Sequence, residues 1–340
     1  MSADTLTPLL EAVARGRSLT AEEAEAAFDR FMDGSASEAQ MGGLLVGLRA
    51  KGVAPSEVAG GVRALRKAMV PVAAKTPERL VDTAGTGGGS VTTFNISTAA
   101  ALVVAGAGVP VAKHGNRSFT SRCGSADVFE ALGVRIDLAP ERMAEVLDEA
   151  GIVFMFAPLL HPAMKHVGPV RRALGITTIM NILGPLTNPA GAKRQVVGVA
   201  DPGLLALVPD ALRALGHVRA LVVHGAVGMD EVSPAGVTRV SELADGEIVE
   251  YEITPSDVGL EDVRIEALAG GDPERNAAMI EAILSGEHGP TRSAVVMNAA
   301  AALIAADAAE SWEQGARLAE ESLDAGKAAE TLERLRSATA

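Results

Sequence analysis

A run of glycines between two apolar segments constrains the fold of this chain more than any other feature. Four glycines fall within residues 85–89, after the apolar pair Leu80-Val81 and before the alanine-rich run 99–107. This order predicts a strand, a loop and a helix. A loop almost without side chains lets the backbone approach a ligand closely. Because a helix start carries partial positive charge, the loop suits a phosphate or diphosphate.

Three polar residues, Asn95, Ser97 and Thr98, stand where the predicted helix begins. Their side-chain oxygens are expected to cap free backbone amides. The loop lacks the Gly-Lys-Ser/Thr ending of a P-loop, and it lacks the acidic residue that follows a dinucleotide-binding fingerprint. A glycine cluster alone is also typical of a mobile turn, so the interpretation depends on a second polar loop.

That second loop follows the next strand-like run, 109–112. The segments 113–118 and 123–127 bring polar residues and glycines to the start of another helix. In open α/β sheets, ligands bind outside the carboxyl ends of the strands. The two loops therefore predict one anion-binding site at a single sheet edge.

The charge balance indicates how an anion would be attracted. The net charge is −13, from 30 Lys and Arg residues against 43 Asp and Glu residues. General nucleic-acid binding requires a basic surface, so this balance argues against it. An anionic substrate then needs a local basic cluster, for which Lys113, Arg117 and Arg122 are the candidates.

The single cysteine, Cys123, excludes an internal disulfide bond and a cysteine-rich zinc site. We interpret it as a small loop residue rather than a nucleophile. No basic region followed by an apolar core marks a signal peptide, and the apolar runs are too short for a membrane span. We expect a cytoplasmic protein that binds neither nucleic acid nor membrane.

Hydrophobic periodicity divides the chain into two parts. Residues 1–70 carry helical stripes and predict a small N-terminal helical domain, with a contribution from about 160–190. Residues 71–340 alternate strands with helices and predict an α/β domain with a mainly parallel sheet flanked by helices. Residues 237–253 predict a hairpin at one sheet edge. The other predicted strands are 80–83, 109–112, 134–136, 152–156, 195–199 and 220–223.

The ordered motifs resemble those of the anthranilate phosphoribosyltransferase family from about residue 18 to about residue 306. The resemblance implies a fold like that of nucleoside phosphorylases and class IV phosphoribosyltransferases. It also implies transfer of the phosphoribosyl group of phosphoribosyl diphosphate to the amine of anthranilate, Mg²⁺ as cofactor, and a homodimer. The matching motifs are Gly85-Thr86-Gly87-Gly88, Asn95-Ile96-Ser97-Thr98, Lys113-His114-Gly115-Asn116-Arg117-Ser118, Gly124-Ser125-Ala126-Asp127, Val170-Arg171-Arg172, Leu174-Gly175, the Asn-Ile-Leu-Gly-Pro-Leu-Thr-Asn-Pro segment 181–189, and Gly228-Met229-Asp230-Glu231.

The resemblance also implies binding residues. A guanidinium can pair with the anthranilate carboxylate through two parallel hydrogen bonds. Magnesium commonly binds one or two carboxylates and substrate phosphate oxygens. The implied anthranilate site contains Gly85, Asn116 and Arg171, and the metal site contains Ser97, Asp230 and Glu231. The implied phosphoribosyl diphosphate site contains Gly85, Gly88, Gly89, Thr93, Asn95, Ile96, Ser97, Thr98, Lys113, His114, Gly115, Asn116, Arg117, Ser118, Phe119, Thr120, Ser121 and Ser125.

No general base is assigned, because an aromatic amine can attack in its neutral form. His114 and His161 are candidate residues of the pocket wall. For each, a structural role is at least as good an interpretation as a role as acid or base. Two departures from the family stand out. Gly89 occupies the place of an aspartate, and Thr177 the place of an arginine, which leaves one cation fewer near the inter-domain connection. We expect activity to persist with altered metal dependence.

Two alternatives remain open. A pyrimidine nucleoside phosphorylase shares the architecture but typically carries serine and threonine near its lysine, where this chain has Gly115-Asn116-Arg117. A non-catalytic relative that binds nucleic acid or nucleotide would show a basic surface, and would lack Arg171 or the Asp230-Glu231 pair.

Overall fold

The N-terminal part of the protein is a bundle of four helices. The computed structural model describes residues 6–118 and 122–340. Thr20 and Ser37 are the N-cap residues of the second and third helices. In each capping box, the N-cap side chain accepts from a backbone nitrogen of the first turn, and a side chain of that turn accepts from the N-cap backbone nitrogen. The four helices are α1 Leu6–Ala14, α2 Ala21–Met32, α3 Glu38–Lys51 and α4 Pro55–Ala68.

Seven strands form one sheet in the order β3-β2-β1-β4-β5-β6-β7. Strands β1 to β5 are parallel to one another, and β6 and β7 form an antiparallel hairpin at one edge. The predicted mainly parallel sheet is confirmed. The strands are β1 Val81–Gly85, β2 Val111–Gly115, β3 Ile152–Phe156, β4 Arg194–Gly198, β5 Arg219–Gly225, β6 Thr238–Ala244 and β7 Glu247–Ile253.

Eleven further helices in the described ranges complete the fold. Small residues let some of them pack very closely. A Cβ atom at Gly315 would lie 3.0 Å from the Cα atom of Ala300 on the neighbouring helix. The helices are α5 Ile96–Gly106, α6 Ser125–Ala131, α7 Pro140–Ala150, α8 Ala157–Leu160, α9 Met164–Leu174, α10 Met180–Leu183, α11 Leu204–Ala214, α12 Pro273–Leu284, α13 Pro290–Ala305, α14 Trp312–Asp324 and α15 Lys327–Thr339.

Two apolar cores lie on the two faces of the sheet. Strand residues alternate between them: Val196 and Leu221 belong to the core around α5 and α13. Val197 and Val222 belong to the core that contains the four-helix bundle, α9, α10 and α11. This alternation follows from the two-residue period of a strand. None of the helices in the described ranges is long and apolar enough to cross a membrane.

Two local predictions are wrong. Residues 134–136 form no strand; Val134 and Ile136 are buried in the loop after α6, and the nitrogen of Val134 donates to Phe129 O. Their apolar character reflects packing rather than strand pairing. The helix that carries Arg171 begins at Met164, not after Pro169. Burial of Val167 and Val170 stabilises this helix although Pro169 lacks a backbone donor.

Candidate active site

Three loops meet beyond the carboxyl ends of the parallel strands. The glycine loop, residues 86–95, follows β1, and the polar loop, residues 116–118 and 122–124, follows β2. The acidic loop, residues 226–231, follows β5. The predicted placement of the first two loops at one sheet edge is confirmed, since β1 and β2 pair in parallel.

Glycines allow the glycine loop and the acidic loop to lie against each other. Gly87 and Gly88 have φ of 69° and 80°, in the left-handed region that favours glycine. A Cβ atom at Gly85 would lie 2.7 Å from Asp230 Oδ2, and one at Gly89 would lie 2.9 Å from Gly228 O. A side chain at position 89 therefore needs a different spacing of the two loops.

Hydrogen bonds join the acidic loop to the glycine loop and to the start of α5. The nitrogen of Gly87 donates to Asp230 Oδ2 over 2.9 Å, and the nitrogen of Ser97 donates to Glu231 Oε1 over 3.2 Å. The hydroxyl of Ser90 donates to Val227 O. These bonds bring the three residues of the predicted metal site, Ser97, Asp230 and Glu231, together.

The electrostatics of this loop junction favour a cation. Burial raises the pKa of Asp230 above its ordinary value. Burial and the charge of Asp230 raise the pKa of Glu231 to about 8, against the opposing effect of Lys113. In both carboxyl groups the fold disfavours the ionised form, and a bound cation would stabilise it. The donor set fits Mg²⁺, which binds carboxylate and hydroxyl oxygens and completes its shell with water or phosphate.

Lys113 lies beneath the junction and is 2% exposed. Its ammonium nitrogen lies 2.7 Å from Thr83 O, 3.2 Å from Thr83 Oγ1 and 3.3 Å from Ser97 Oγ. An ammonium group has three donors, so these bonds use all of them. In this arrangement Lys113 orients Ser97, and its charge acts on the site from below.

Ser97 has hydrogen-bonding capacity left for a metal. Its hydroxyl accepts from Lys113 and also bonds the side chain of Glu231. When a cation stabilises the ionised form of Glu231, that carboxylate can only accept, so the hydroxyl proton points to it. A hydroxyl oxygen has two acceptor sites. One therefore remains for a cation. Within the described ranges, no group of three or more His, Cys, Asp or Glu side chains could hold a metal ion. The Ser97 oxygen adds a third protein donor beside the two carboxylates.

The expected side-chain capping of α5 is wrong for Asn95. Its side chain donates to Cys123 O over 3.4 Å and accepts from Asn276 Nδ2 over 2.8 Å. These tertiary contacts occupy the amide that would otherwise cap the helix. Thr98 is fully buried, and its hydroxyl has no hydrogen-bond partner in the described part of the chain. Asn276 has no motif around it that could have indicated this role.

Four more of the predicted binding residues lie in the glycine loop or at the start of α5. Gly88 is exposed and Gly89 is half-buried. The backbone of Thr93 bridges to Ala269, and Ile96 is fully buried at the start of α5. Backbone amides, rather than these side chains, are thus what the loop offers to a ligand.

Arg117 in the polar loop is already paired. Its guanidinium lies 2.7 Å from Asp127 and 2.6 Å from Glu130, and 5.5 Å from the ring centroid of Phe156. Two carboxylates offset its charge, so it adds little to the expected basic cluster with Lys113 and Arg122. Its visible role is to hold the loop.

The polar loop is also braced by its own backbone. Asn116 O accepts from Ser125 Oγ over 3.3 Å and from the nitrogen of Ala126. Gly115 ends β2, and Ser118 lies at the edge of the described range. The predicted binding residues Phe119, Thr120 and Ser121 lie outside the described residues.

His114 and His161 form a buried, neutral pair. Their Nε2 atoms lie 3.1 Å apart, so one of them carries a proton and donates to the other. Burial, with the nearby charges of His161 and Lys113, lowers the pKa of His114 to about 3. Burial lowers the pKa of His161 to about 4. At neutral pH the pair supplies no positive charge, which suits a pocket wall.

Arg171 is a cation without a carboxylate partner in the described part of the chain. It lies half-buried in the last turn of α9, and burial lowers its pKa below the ordinary arginine value. Arg172, the next residue, is exposed. A partly desolvated guanidinium is stabilised by an anionic ligand, so Arg171 is the better carboxylate-binding candidate of the two.

The expected loss of a cation at position 177 is offset by Arg49 of α3. Its guanidinium nitrogen Nη1 lies 2.8 Å from Thr177 Oγ1 and also donates to Thr177 O. Arg49 lies 128 positions earlier in the sequence, so no local pattern could have indicated this contact. A positive charge is therefore present at this place.

Comparison with family models agrees with the two-part organisation. Residues 7–69 match the helical bundle domain of a glycosyl transferase family, and residues 77–329 match the a/b domain of the same family. The two matches together span most of the chain.

Relatives of similar length include anthranilate phosphoribosyltransferases. The chain is 51% identical to that of Azorhizobium caulinodans over 332 residues, covering 98% of this chain and 96% of the relative. It is 50% identical to that of Symbiobacterium thermophilum, covering 97% of each.

Solved structures of anthranilate phosphoribosyltransferases superimpose on this fold. The enzyme from Thermus thermophilus matches with a TM-score of 0.92 and 45% identity, covering 97% of this chain and 98% of that one. The enzyme from Saccharomyces cerevisiae, solved in complex with PRPP (phosphoribosyl diphosphate) and Mg, matches with a TM-score of 0.91 and 27% identity, covering 99% and 98%.

Proposed function

The chain belongs to the anthranilate phosphoribosyltransferase family, and we propose that three parts of its active site divide the reaction among them. The enzyme transfers the phosphoribosyl group of phosphoribosyl diphosphate to the amine of anthranilate, in tryptophan biosynthesis. A bond forms between the amine nitrogen and C1 of the ribose, and the bond from C1 to the diphosphate oxygen breaks. The products are N-(5-phosphoribosyl)anthranilate and diphosphate.

The glycine loop and the polar loop bind phosphoribosyl diphosphate in this proposal. Gly87 and Gly88 expose backbone amides at the start of α5, where the helix dipole favours anions. Lys113 contributes its charge from beneath the loop, and Asn116 is held in position by Ser125 and Ala126. Arg117 braces the loop through Asp127 and Glu130 instead of providing a free charge.

Ser97, Asp230 and Glu231 hold Mg²⁺ in this proposal, as their donor set allows. The yeast relative solved with the sugar diphosphate and Mg supports the choice of metal. When bound between these residues and the substrate, Mg²⁺ would supply Lewis-acid stabilisation of the departing diphosphate. The protein contributes the arrangement of oxygens: Lys113 fixes Ser97, while Gly87 fixes Asp230.

Arg171 binds the carboxylate of anthranilate in this proposal, with Asn116 and Gly85 at the pocket. The single observation that carries the assignment is that Arg171 is partly desolvated yet lacks a carboxylate partner within the described ranges. A yeast relative solved with 4-fluoroanthranilate supports a pocket for this ring and its carboxylate. Two parallel hydrogen bonds fix the ring plane and so direct the amine towards the ribose carbon.

The residues around the amine do not have to remove a proton before attack. The attacking group is a neutral aromatic amine, and His114 and His161 are neutral with pKa values of about 3 and 4. Positive charge develops on the ribose ring as the diphosphate leaves, so positioning and electrostatics provide the acceleration. The proton is lost afterwards to water or phosphate.

We further propose a homodimer formed through the helical domain, with domain boundaries at 1–70, joined by about 160–190, and at 71–340. The packing of α9 and α10 in the same apolar core as the first four helices supports this division. Both substrates are small anionic metabolites, which supports a cytoplasmic location. Sedimentation equilibrium would reject the dimer if the mass remained that of one chain at micromolar concentration.

Separate binding measurements test the division of the site. Calorimetry would titrate phosphoribosyl diphosphate with Mg²⁺ into Asp230→Asn and Arg171→Gln proteins. The first variant is expected to lose Mg²⁺-dependent binding of the sugar diphosphate, and the second to retain it. Since anthranilate binding is expected to show the reverse pattern, equal effects of both variants on both ligands would reject the assignment.

A further inference from the structure

Asn276 lies outside the three loops of the active site, but it contacts a residue of the glycine loop. It is near the start of α12 and is 2% exposed. The segment that precedes α12 packs on the backbone that leads into α5. The nitrogen of Phe94 donates to Leu268 O over 3.0 Å, and a Cβ atom at Gly270 would lie 2.8 Å from the Cα atom of Phe94. This close packing brings the Asn276 side chain to the start of α5.

Three hydrogen bonds lead from this segment through Asn276 to the polar loop. The nitrogen of Gly271 donates to Asn276 Oδ1 over 2.7 Å. Asn276 Nδ2 donates to Asn95 Oδ1 over 2.8 Å. Asn95 Nδ2 in turn donates to Cys123 O over 3.4 Å. One row of bonds therefore joins α12, the glycine loop and the polar loop.

The two ends of this row fix the direction of both side-chain amides. A backbone nitrogen only donates, and a backbone carbonyl only accepts. Because the nitrogen of Gly271 donates, the oxygen of Asn276 faces it, and the amino group of Asn276 faces Asn95. Asn95 then turns its oxygen to Asn276 and its amino group to Cys123 O. Turning either amide around would place two donors or two acceptors against each other.

This direction decides what Asn95 can offer to a ligand. Its oxygen is engaged by Asn276, whereas its amino group has two protons and uses one of them on Cys123 O. Asn95 is half-buried and bonds the polar loop from the end of the glycine loop, so the second proton can reach a ligand held between the two loops. The side chain therefore presents a donor, which suits an oxygen of a phosphate or a ribose.

We infer that Asn276 is a positioning residue for the binding of phosphoribosyl diphosphate, because it keeps the amino group of Asn95 directed to the substrate. The inference rests on the proposed binding of this substrate by the glycine loop and the polar loop. Asn276 is buried and acts through Asn95. Its effect on binding therefore requires the Asn95 side chain.

Calorimetric titration of phosphoribosyl diphosphate in the presence of Mg²⁺ tests this inference with two replacements of similar size. Asn276→Asp keeps the bond from the Gly271 nitrogen but can only accept, so it turns the amino group of Asn95 away from the substrate. We expect the dissociation constant to rise about tenfold, as for one lost hydrogen bond to a charged group. Asn276→Leu carries no charge and fixes neither direction of Asn95, so a rise of about threefold is expected.

A double-mutant cycle separates a positioning role from a general structural one. Asn95→Ala is expected to weaken binding about tenfold by itself. In the Asn95→Ala protein, adding Asn276→Asp should change the dissociation constant less than twofold, because there is no amide left to direct. An undiminished tenfold effect in that background would show that the new charge acts on the substrate directly, and would overturn the inference.

Ser322→Ala is the matched structural control. The Ser322 hydroxyl is buried and donates to Val103 O over 2.8 Å, near the other end of α5. Its loss is expected to lower the Tm but to change the dissociation constant less than twofold. A tenfold change in this control would attribute the effect of Asn276 to general destabilisation and overturn the inference.

The single variants distinguish failure of the inference from failure of the proposed site. Unchanged binding in folded Asn276→Asp protein, while Asn95→Ala loses affinity, would overturn the inference alone. An Asn95→Ala protein that binds as tightly as the parent would overturn the place of Asn95 in the proposed site, and the inference with it.

Discussion

Asp230 accepts a hydrogen bond of 2.9 Å from the backbone nitrogen of Gly87, although the two residues are 143 positions apart. The bond joins the loop that carries the acidic pair to the loop that begins the diphosphate site. Metal binding and diphosphate binding are therefore coupled through the backbone. A change in either loop is expected to alter both.

Replacing the acidic pair should abolish Mg²⁺ dependence. Asp230→Asn and Glu231→Gln keep the shapes of the side chains but remove one charge each. We expect kcat/KM for phosphoribosyl diphosphate to fall about 100-fold or more, since a missing metal ligand removes several kcal/mol of charge stabilisation. Steady-state rates over a range of Mg²⁺ concentrations check this. Unchanged Mg²⁺ dependence in both variants would exclude these residues from the metal site.

The close approach of Gly198 to the acidic loop predicts a second, indirect way to weaken the metal site. A Cβ atom at Gly198 would overlap the carbonyl oxygen of Asp230. Gly198→Ala should displace the acidic loop, lower stability by about 1–3 kcal/mol, and weaken Mg²⁺ activation. Gly42→Ala in α3 is the control, because the nearest side-chain atom there lies 3.9 Å from the added carbon. Urea unfolding of both variants measures the change in stability, and Mg²⁺ titration of their activity measures the change in Mg²⁺ activation.

The buried histidines predict a loss of stability at acidic pH. The folded-state pKa of His114 and His217 is about 3, and that of His161 is about 4. In the unfolded chain, histidine titrates near 6.5. The unfolded state therefore binds more protons below that pH, and stability falls as pH falls from about 6.5 towards 4. At pH 5 the loss is about 2 kcal/mol per histidine.

His161→Gln isolates one part of this effect, because a glutamine amide can still bond His114. The difference in unfolding free energy between pH 7.5 and pH 5 should shrink by about 2 kcal/mol relative to the parent. Urea unfolding at the two pH values measures it. An unchanged difference would show that His161 is not kept neutral by the fold.

The sequence predicts the sheet well where buried apolar runs are short and bounded. The segment 152–156 is such a run, and its limits coincide with those of β3. The run 134–136 has the same character but does not pair with a strand. Apolar composition reports burial, and only the arrangement of neighbouring elements determines whether a buried segment joins the sheet.

The sequence motifs identify residues of the site, but they do not indicate which contacts those residues make. The motifs identify Ser97 and Glu231, which bond each other. They do not indicate that Lys113 directs its donors to Thr83 and Ser97, nor that Arg117 is paired with two carboxylates. The direction of a long side chain depends on partners distant in sequence, and no local pattern records them. Arg49 and Asn276 were missed for the same reason.

Arg171 and its neighbour provide a matched pair for the acceptor site. Arg171→Ala should lower kcat/KM for anthranilate about 100-fold, since charge-assisted hydrogen bonds to a carboxylate contribute about 3 kcal/mol. Arg172→Ala removes an equal charge from an exposed position and should change the same ratio less than threefold. Similar losses in both variants would indicate a general effect of positive charge rather than a specific contact.

The most direct test of the account follows anthranilate fluorescence after addition of phosphoribosyl diphosphate and Mg²⁺, for the parent and for Arg171→Ala. We predict rapid loss of fluorescence with the parent, formation of one diphosphate per anthranilate consumed, and a much slower loss with the variant. No loss with the parent at any Mg²⁺ concentration, in a sample shown to be folded, would contradict the transferase assignment. Equal rates for the two proteins would contradict the role of Arg171.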